Sequence, residues 1–292
     1  MLIRLNSLLV KIFFIAFITA ISNSAYSEEK KIEFIKNDWS FEGIFGTFDR
    51  SSLQRGYQVY QEVCSGCHSI QHLSYRNLSE KGGPEFSLDE AKAIAAQFEI
   101  TDGPNDDGEM FTRPRRLSDK FVNPFLNVQA ATAANGGAYP PDMSVIVKAR
   151  KGGADYIYSL LLGYEEVPAE YELDDGVYYN KYIPGNKIMM FKPLSEEAVE
   201  YSDGTQATEA QMAKDVTTFL TWAAEPNLEA RHKMGFKVII FLIILLTLVY
   251  FSKQKVWSRL DSKDDSNQKE ETFDKVERAV TEYEGEDPKT FK

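Results

Sequence analysis

Cysteine is nearly absent, with two residues in 292, and the chain has only three histidines. So few thiols exclude a disulfide framework. They also exclude a structural zinc site, whose four ligands come as two pairs, because only His68, His72 and His232 could complete one. A basic excess is missing too. Lys and Arg number 33 against 44 Asp and Glu, a formal net charge of −11, which is unsuited to nucleic-acid binding. No βαβ pattern surrounds position 64, which argues against a thioredoxin-like redox pair.

What is present is the placement of those thiols. Both lie in Cys64-Ser65-Gly66-Cys67-His68, the C-x-x-C-H pattern of covalent c-type haem attachment. Each thiol adds across one porphyrin vinyl group, forming a thioether. The adjoining histidine then falls under the ring, where a nitrogen binds iron. The expected cofactor is one covalently bound haem c.

Apolar runs divide the chain. Arg4 and Lys11, the run Phe13–Ile21 and the small residues Ser24–Ser27 read as a signal peptide over 1–27. Residues 28–230 form the exported haem domain, large enough for one well-buried core. They hold 33 acidic and 19 basic side chains, a net charge of −14, which favours a basic protein partner. Residues 235–251 are almost wholly aliphatic or aromatic and predict a transmembrane anchor, with Lys237 snorkelling at one end and Lys253, Lys255, Trp257 and Arg259 forming a belt at the other. Basic residues flank both ends, so the signal peptide sets the orientation. The tail 252–292 then faces the cytoplasm and, being charged and poor in apolar residues, reads as disordered or briefly helical.

Within the domain, Leu53, Tyr57 and Tyr60 recur at helical spacing between Asp49 and Val63, with Asp49 or Ser51 as N-cap. Ala91–Phe98 reads as a short helix between loops at 79–90 and 101–109. The stretch 123–143 carries three prolines and two adjacent glycines and reads as irregular. Two helices are expected next, from Pro141 to Lys148 and from Ala154 to Leu162, then an irregular acidic stretch over 165–187. A last helix, Thr208–Ala224, carries Met212, Val216, Phe219 and Ala223 on one stripe, and Pro226 closes it. The expected fold class is mainly α: a cytochrome c-like haem domain with long irregular loops, plus one C-terminal transmembrane helix.

The sixth iron position calls for His, Met or no protein ligand. His72 stands one turn past His68, on the same side of the ring, and His232 lies at the membrane junction. Met212 is on a core stripe, Met234 at the membrane edge, Met143 directly after Pro-Pro-Asp and Met110 in an acidic loop. Met189 and Met190 remain, on equal footing. A thioether ligand raises the potential, as electron transfer near the oxidising end of a chain requires.

At this point the residues resemble the cytochrome c1 family, the haem-bearing subunit of the cytochrome bc1 complex. The resemblance rests on Cys64 to His68 with Tyr75-Arg76, on Ala134-Asn135-Gly136-Gly137-Ala138-Tyr139-Pro140-Pro141-Asp142-Met143-Ser144 and on Lys148-Ala149-Arg150-Lys151-Gly152-Gly153-Ala154-Asp155-Tyr156. Ser159 to Tyr164, Asp203 to Val216 and Trp222 to Pro226 extend it, so that it covers about residues 35 to 257. The resemblance implies that His68 and Met190 bind the iron, the latter in Ile188-Met189-Met190-Phe191-Lys192-Pro193. The family usually has a smaller residue where Met189 stands and often a proline where Lys192 stands. It further implies Tyr75, Arg76, Asn135, Ala138, Pro140 and Pro141 as haem-site residues, with Arg150 and Tyr156 near the propionates.

The implied partners are cytochrome b, a Rieske iron–sulfur subunit as electron donor and a cytochrome c as acceptor, in a dimeric complex of the bacterial inner membrane with the haem domain in the periplasm. No side chain acts as nucleophile or general acid; the haem does the redox chemistry. The acidic run Glu165, Glu166, Glu170, Glu172, Asp174 and Asp175 is the expected docking surface for the acceptor. A membrane-anchored cytochrome c feeding a terminal oxidase is the alternative, and the Pro-Pro-Asp and Lys-Ala-Arg blocks argue against it.

Overall fold

The computed structural model describes residues 32–169 and 171–284. The expected signal peptide, Glu170 and residues 285–292 lie outside them. In chain order the elements are α1 (Arg50–Val59), α2 (Leu88–Ala96), the antiparallel ribbon β1 (Glu99–Asp102) with β2 (Phe111–Pro114), α3 (Val128–Ala134) and α4 (Gly153–Leu162). A second ribbon, β3 (Tyr178–Tyr179) with β4 (Lys187–Ile188), precedes α5 (Glu209–Ala224) and α6 (Leu228–Glu284). The structure is mainly helical, with a few short strands.

The main core is built on α1 against α5. Asp49 caps α1 by accepting from Ser51 N at 3.0 Å, and Thr208 Oγ1 caps α5 by accepting from Gln211 N at 3.1 Å. Gly56 is what lets the two helices approach: a Cβ there would overlap the Asp215 carbonyl oxygen and crowd Phe219. Aromatic rings fill the space beside this contact. Tyr57 and Tyr60 lie 5.7 and 5.8 Å from Phe219, Tyr60 stacks on Phe121, and Phe121 reaches Tyr75 at 4.9 Å. A polar clasp completes it. Asp215, fully buried, accepts from Ser52 Oγ at 2.7 Å and Arg55 Nε at 2.8 Å, while Arg55 also pairs with Asp203 at 2.7 Å.

Three expectations need correction. Residues 128–134, read as irregular, form α3. Asn127 Oδ1 caps it by accepting from Ala130 N at 2.8 Å, and its alanines favour helix between the flanking proline and glycines. Residues 141–148 make turns rather than a helix: Val145, Ile146 and Val147 are β-branched, and residues 141–144 bond to residues 68–72 instead of starting a helix. The charged tail is helical as far as Glu284.

That tail belongs to a second unit, Ser40–Thr47 with residues 226–292. Within it His232 Nδ1 donates to the Gly46 carbonyl at 3.3 Å, and Phe45 meets Phe236 at 6.2 Å. Leu228–Ser258 is the one helix among the described residues long and apolar enough to cross a membrane, with a mean hydropathy of 2.5.

Candidate haem-binding site

The Cys–His segment grows directly out of α1. After Val59 the helix widens into a π turn over Tyr60–Cys64, closed by Ser65 N to Tyr60 O at 2.8 Å. Such turns recur at functional sites. Cys67 N and His68 N then both donate to Cys64 O, at 3.1 and 2.9 Å. One tight turn therefore gathers both thiols and the imidazole at the end of a helix anchored in the core. Neither thiol is in a disulfide, and burial pushes the Cys64 thiol up to about 12, with Cys67 adding to the effect.

His68 is set up as a ligand. Its Nδ1 lies 2.9 Å from the Pro141 carbonyl oxygen. A carbonyl only accepts, so Nδ1 carries the proton and Nε2 keeps its lone pair. Burial lowers the imidazole's affinity for a second proton, against the opposing pull of that hydrogen bond and of Asp142. Tyr60 Oη, held in the aromatic cluster, donates to His68 O at 3.2 Å. The Pro141-Asp142-Met143-Ser144 segment is fastened to residues 69–72 by Met143 N to Ser69 O at 2.8 Å and by Asp142. Burial works to raise that carboxyl, yet the hydrogen bonds from Ser144, Ser69 and Gln71 hold it below the usual carboxylate range.

The other expected residues divide into groups. Pro140 and Tyr139 share with Cys67 a cleft of about 120 Å³, closed by Asn123–Val128 and Ala131. Asn135 ends α3, its amide donating to Ala131 O at 2.7 Å, and half-buried Ala138 follows. Tyr75 is buried against Phe121, which stacks on Tyr60, the donor to His68 O, while the Arg76 side chain is exposed. Tyr156 packs in α4 on Phe34 at 5.4 Å. Arg150 is exposed, donating to Ala149 O at 3.2 Å.

The methionines sit just past β4. Asn180 anchors the hairpin, its amide donating to Leu160 O at 2.8 Å. Tyr164 Oη donates to Met190 O at 3.0 Å, and Lys192 Nζ bonds Glu209 Oε1 of α5 at 2.6 Å, so the loop is pinned on both sides. Met190 is half-buried and Met189 is exposed. No hydrogen bond or ring contact among the described residues joins Met190 to the Cys–His segment. Met212 is fully buried in the core, as its stripe indicates.

The sequence assigned no role to several residues at the site. Ser69, Asp142 and Ser144 are short polar residues whose partners lie about 70 positions away. Leu126, fully exposed at the cleft rim, stands out only as an apolar residue after Pro124-Phe125.

Two free thiols and a tautomer-locked imidazole on one turn at a helix end are the donor set of the c-type cytochromes, and the residues present fit a covalent haem. A family model described as the Cytochrome C1 family matches residues 39–260. Cytochrome c1 of Rhodospirillum rubrum is 45% identical over 82% of this chain and 93% of its own length. The mitochondrial haem protein cytochrome c1 2 of Arabidopsis thaliana is 50% identical over 82% of this chain and 77% of its own. A Bradyrhizobium diazoefficiens protein named cytochrome b/c1 is 52% identical over 76% of this chain but only 35% of its own length, so this chain spans about a third of that relative. The chain belongs to the cytochrome c1 family.

Proposed function

We propose that this chain is the haem-bearing electron-transfer subunit of a cytochrome bc1 complex. On this reading it takes electrons from a Rieske iron–sulfur protein and passes them to a cytochrome c. Cys64 and Cys67 hold the haem as thioethers; His68 Nε2 and the Met190 sulfur ligate the iron. When bound, the haem supplies one-electron exchange between ferrous and ferric iron.

The protein's part is to hold that group still and tune it. The Pro141 carbonyl fixes the His68 tautomer and ring plane and raises its basicity. Tyr164 and Lys192 restrain the Met190 loop. Arg150, exposed and always charged, is available to a propionate, and Tyr156 supports the α4 terminus beside it. Leu228–Ser258 anchors the haem domain on the exported side of the membrane. Relatives named as cytochrome b/c1 and as a cytochrome b-c1 complex catalytic subunit support membership of that assembly; on the proposed reading the chain sits there beside cytochrome b, in a dimeric complex.

The observation that carries this reading is the His68 Nδ1 to Pro141 contact at the end of the C-x-x-C-H turn. Purification in mild detergent tests it. A pyridine haemochrome of the thioether type, a co-purifying b-type cytochrome and quinol–cytochrome c reductase activity are expected. A c-type haem without the b-type partner would instead favour a terminal-oxidase donor.

A further inference from the structure

Asp142 lies outside the haem contacts assigned above, yet the hydrogen bonds of the site converge on it. Oδ2 accepts from Ser69 Oγ at 2.7 Å and Gln71 N at 3.0 Å, and Oδ1 accepts from Ser144 N at 2.9 Å. On either side, Met143 N bonds Ser69 O at 2.8 Å and His72 N bonds Ser144 Oγ at 3.1 Å. Every one of these rungs except the Ser144 turn joins residues 69–72 to residues 142–144. The Pro141 carbonyl that fixes His68 comes directly before this patch.

We infer that Asp142 is the positioning residue of the proximal histidine: its carboxylate sets where the Pro141 carbonyl lies, and through it the plane of the His68 ring and the potential of the centre. The inference rests on the reading of His68 as the iron ligand. An ionised carboxylate is acceptor-only and can face three donors at once. A neutral amide cannot: in either orientation its NH2 would meet the N–H of Gln71 or of Ser144. Leaving such a donor without an acceptor loosens the segment that carries the Pro141 carbonyl. The charge acts in the same direction as the geometry. A fixed negative charge beside the imidazole favours ferric iron, and a firm Nδ1–H···O=C bond makes the ligand more basic. Both hold the potential down, so Asp142→Asn raises it.

The test uses the full-length chain with its haem in the membrane. Attachment is read by pyridine haemochrome, the midpoint potential by redox titration, and the axial imidazole plane by the g values in electron paramagnetic resonance. Asp142→Asn is expected to keep the covalent haem, raise the midpoint and shift the g values. Ser69→Ala removes one donor and leaves the charge, so it is expected to shift the g values and to raise the midpoint by less than Asp142→Asn does. Asp106→Asn removes the same charge from an exposed loop and is expected to change neither. Haem-loaded Asp142→Asn with wild-type midpoint and g values overturns the inference. Should that variant fail to accumulate, unchanged g values in Ser69→Ala overturn it instead. A wild-type chain without thioether-linked haem is a different result, since it overturns the functional reading itself.

Discussion

At the scale of single residues, the two adjacent methionines separate by surroundings. Met190 is half-buried, with its carbonyl held by Tyr164, whereas Met189 is exposed. Met190→Leu is therefore expected to lower the midpoint potential and open the reduced iron to carbon monoxide. Met189→Leu is expected to do neither and to cost under about 1.5 kcal/mol of stability, as near-isosteric swaps do. Redox titration and carbon monoxide difference spectra distinguish them; a low-potential, carbon-monoxide-binding Met189→Leu would reverse the assignment. The thiols and His68 were legible in the sequence because covalent attachment fixes residue types at fixed spacing. Asp142 was not, because its role is written in contacts across about 70 residues, and spacing alone carries no such information.

At the scale of elements, the α1–α5 contact is where sequence periodicity served best. The stripe Met212, Val216, Phe219 and Ala223 is buried as its spacing indicates. What periodicity left out is the polar clasp inside that contact. Asp215 has no exposed surface and Arg55 is its charge partner. Removing one member of a buried pair strands the other, so Asp215→Ala is expected to cost about 3–5 kcal/mol in urea unfolding. Asp203→Ala, at the exposed end of the same Arg55, is expected to cost far less. Equal losses would show that the clasp does not work through burial. The aromatic cluster beside it adds a pH dependence. Burial pushes the Tyr75 phenol up to about 12 and raises Tyr57 and Tyr60 as well. The unfolded chain releases these protons from about pH 10 upward while the folded domain retains them. Stability is thus full below pH ~10 and falls as the pH climbs towards 12. Tyr57→Phe removes one such proton and should flatten the alkaline limb of urea midpoints against pH; an unaltered limb would exclude Tyr57 as a source.

At the scale of the whole molecule, charge decides how a soluble partner would approach. The expected exported segment carries a net −14, and its densest acidic run, residues 165–175, precedes the hairpin that delivers the methionines. Lys187 Nζ bonds Glu172 O at 2.9 Å, which ties this run to β4 and so to the Met190 loop. Its acids are not equivalent. Glu165 is paired with Lys181, Glu170 lies outside the described residues, and no ion pair among the described residues engages Glu166, Glu172, Asp174 or Asp175. An exposed charge attracts a partner within about 8 Å at physiological ionic strength, so the unpaired acids contribute most to steering. The bimolecular rate of electron transfer to a cationic cytochrome c is therefore expected to fall as salt rises. Glu166→Lys with Glu172→Lys should slow association several-fold at low salt and flatten that dependence, with the midpoint potential unchanged because neither residue touches the haem ligands. Glu165→Gln should do less, since Lys181 already offsets it. Stopped-flow rates across a salt series read all three. A wild-type rate indifferent to salt would mean that the acceptor is tethered to the same membrane and has no need of steering. A salt-sensitive wild type with an unaffected double variant would move the docking surface away from this run.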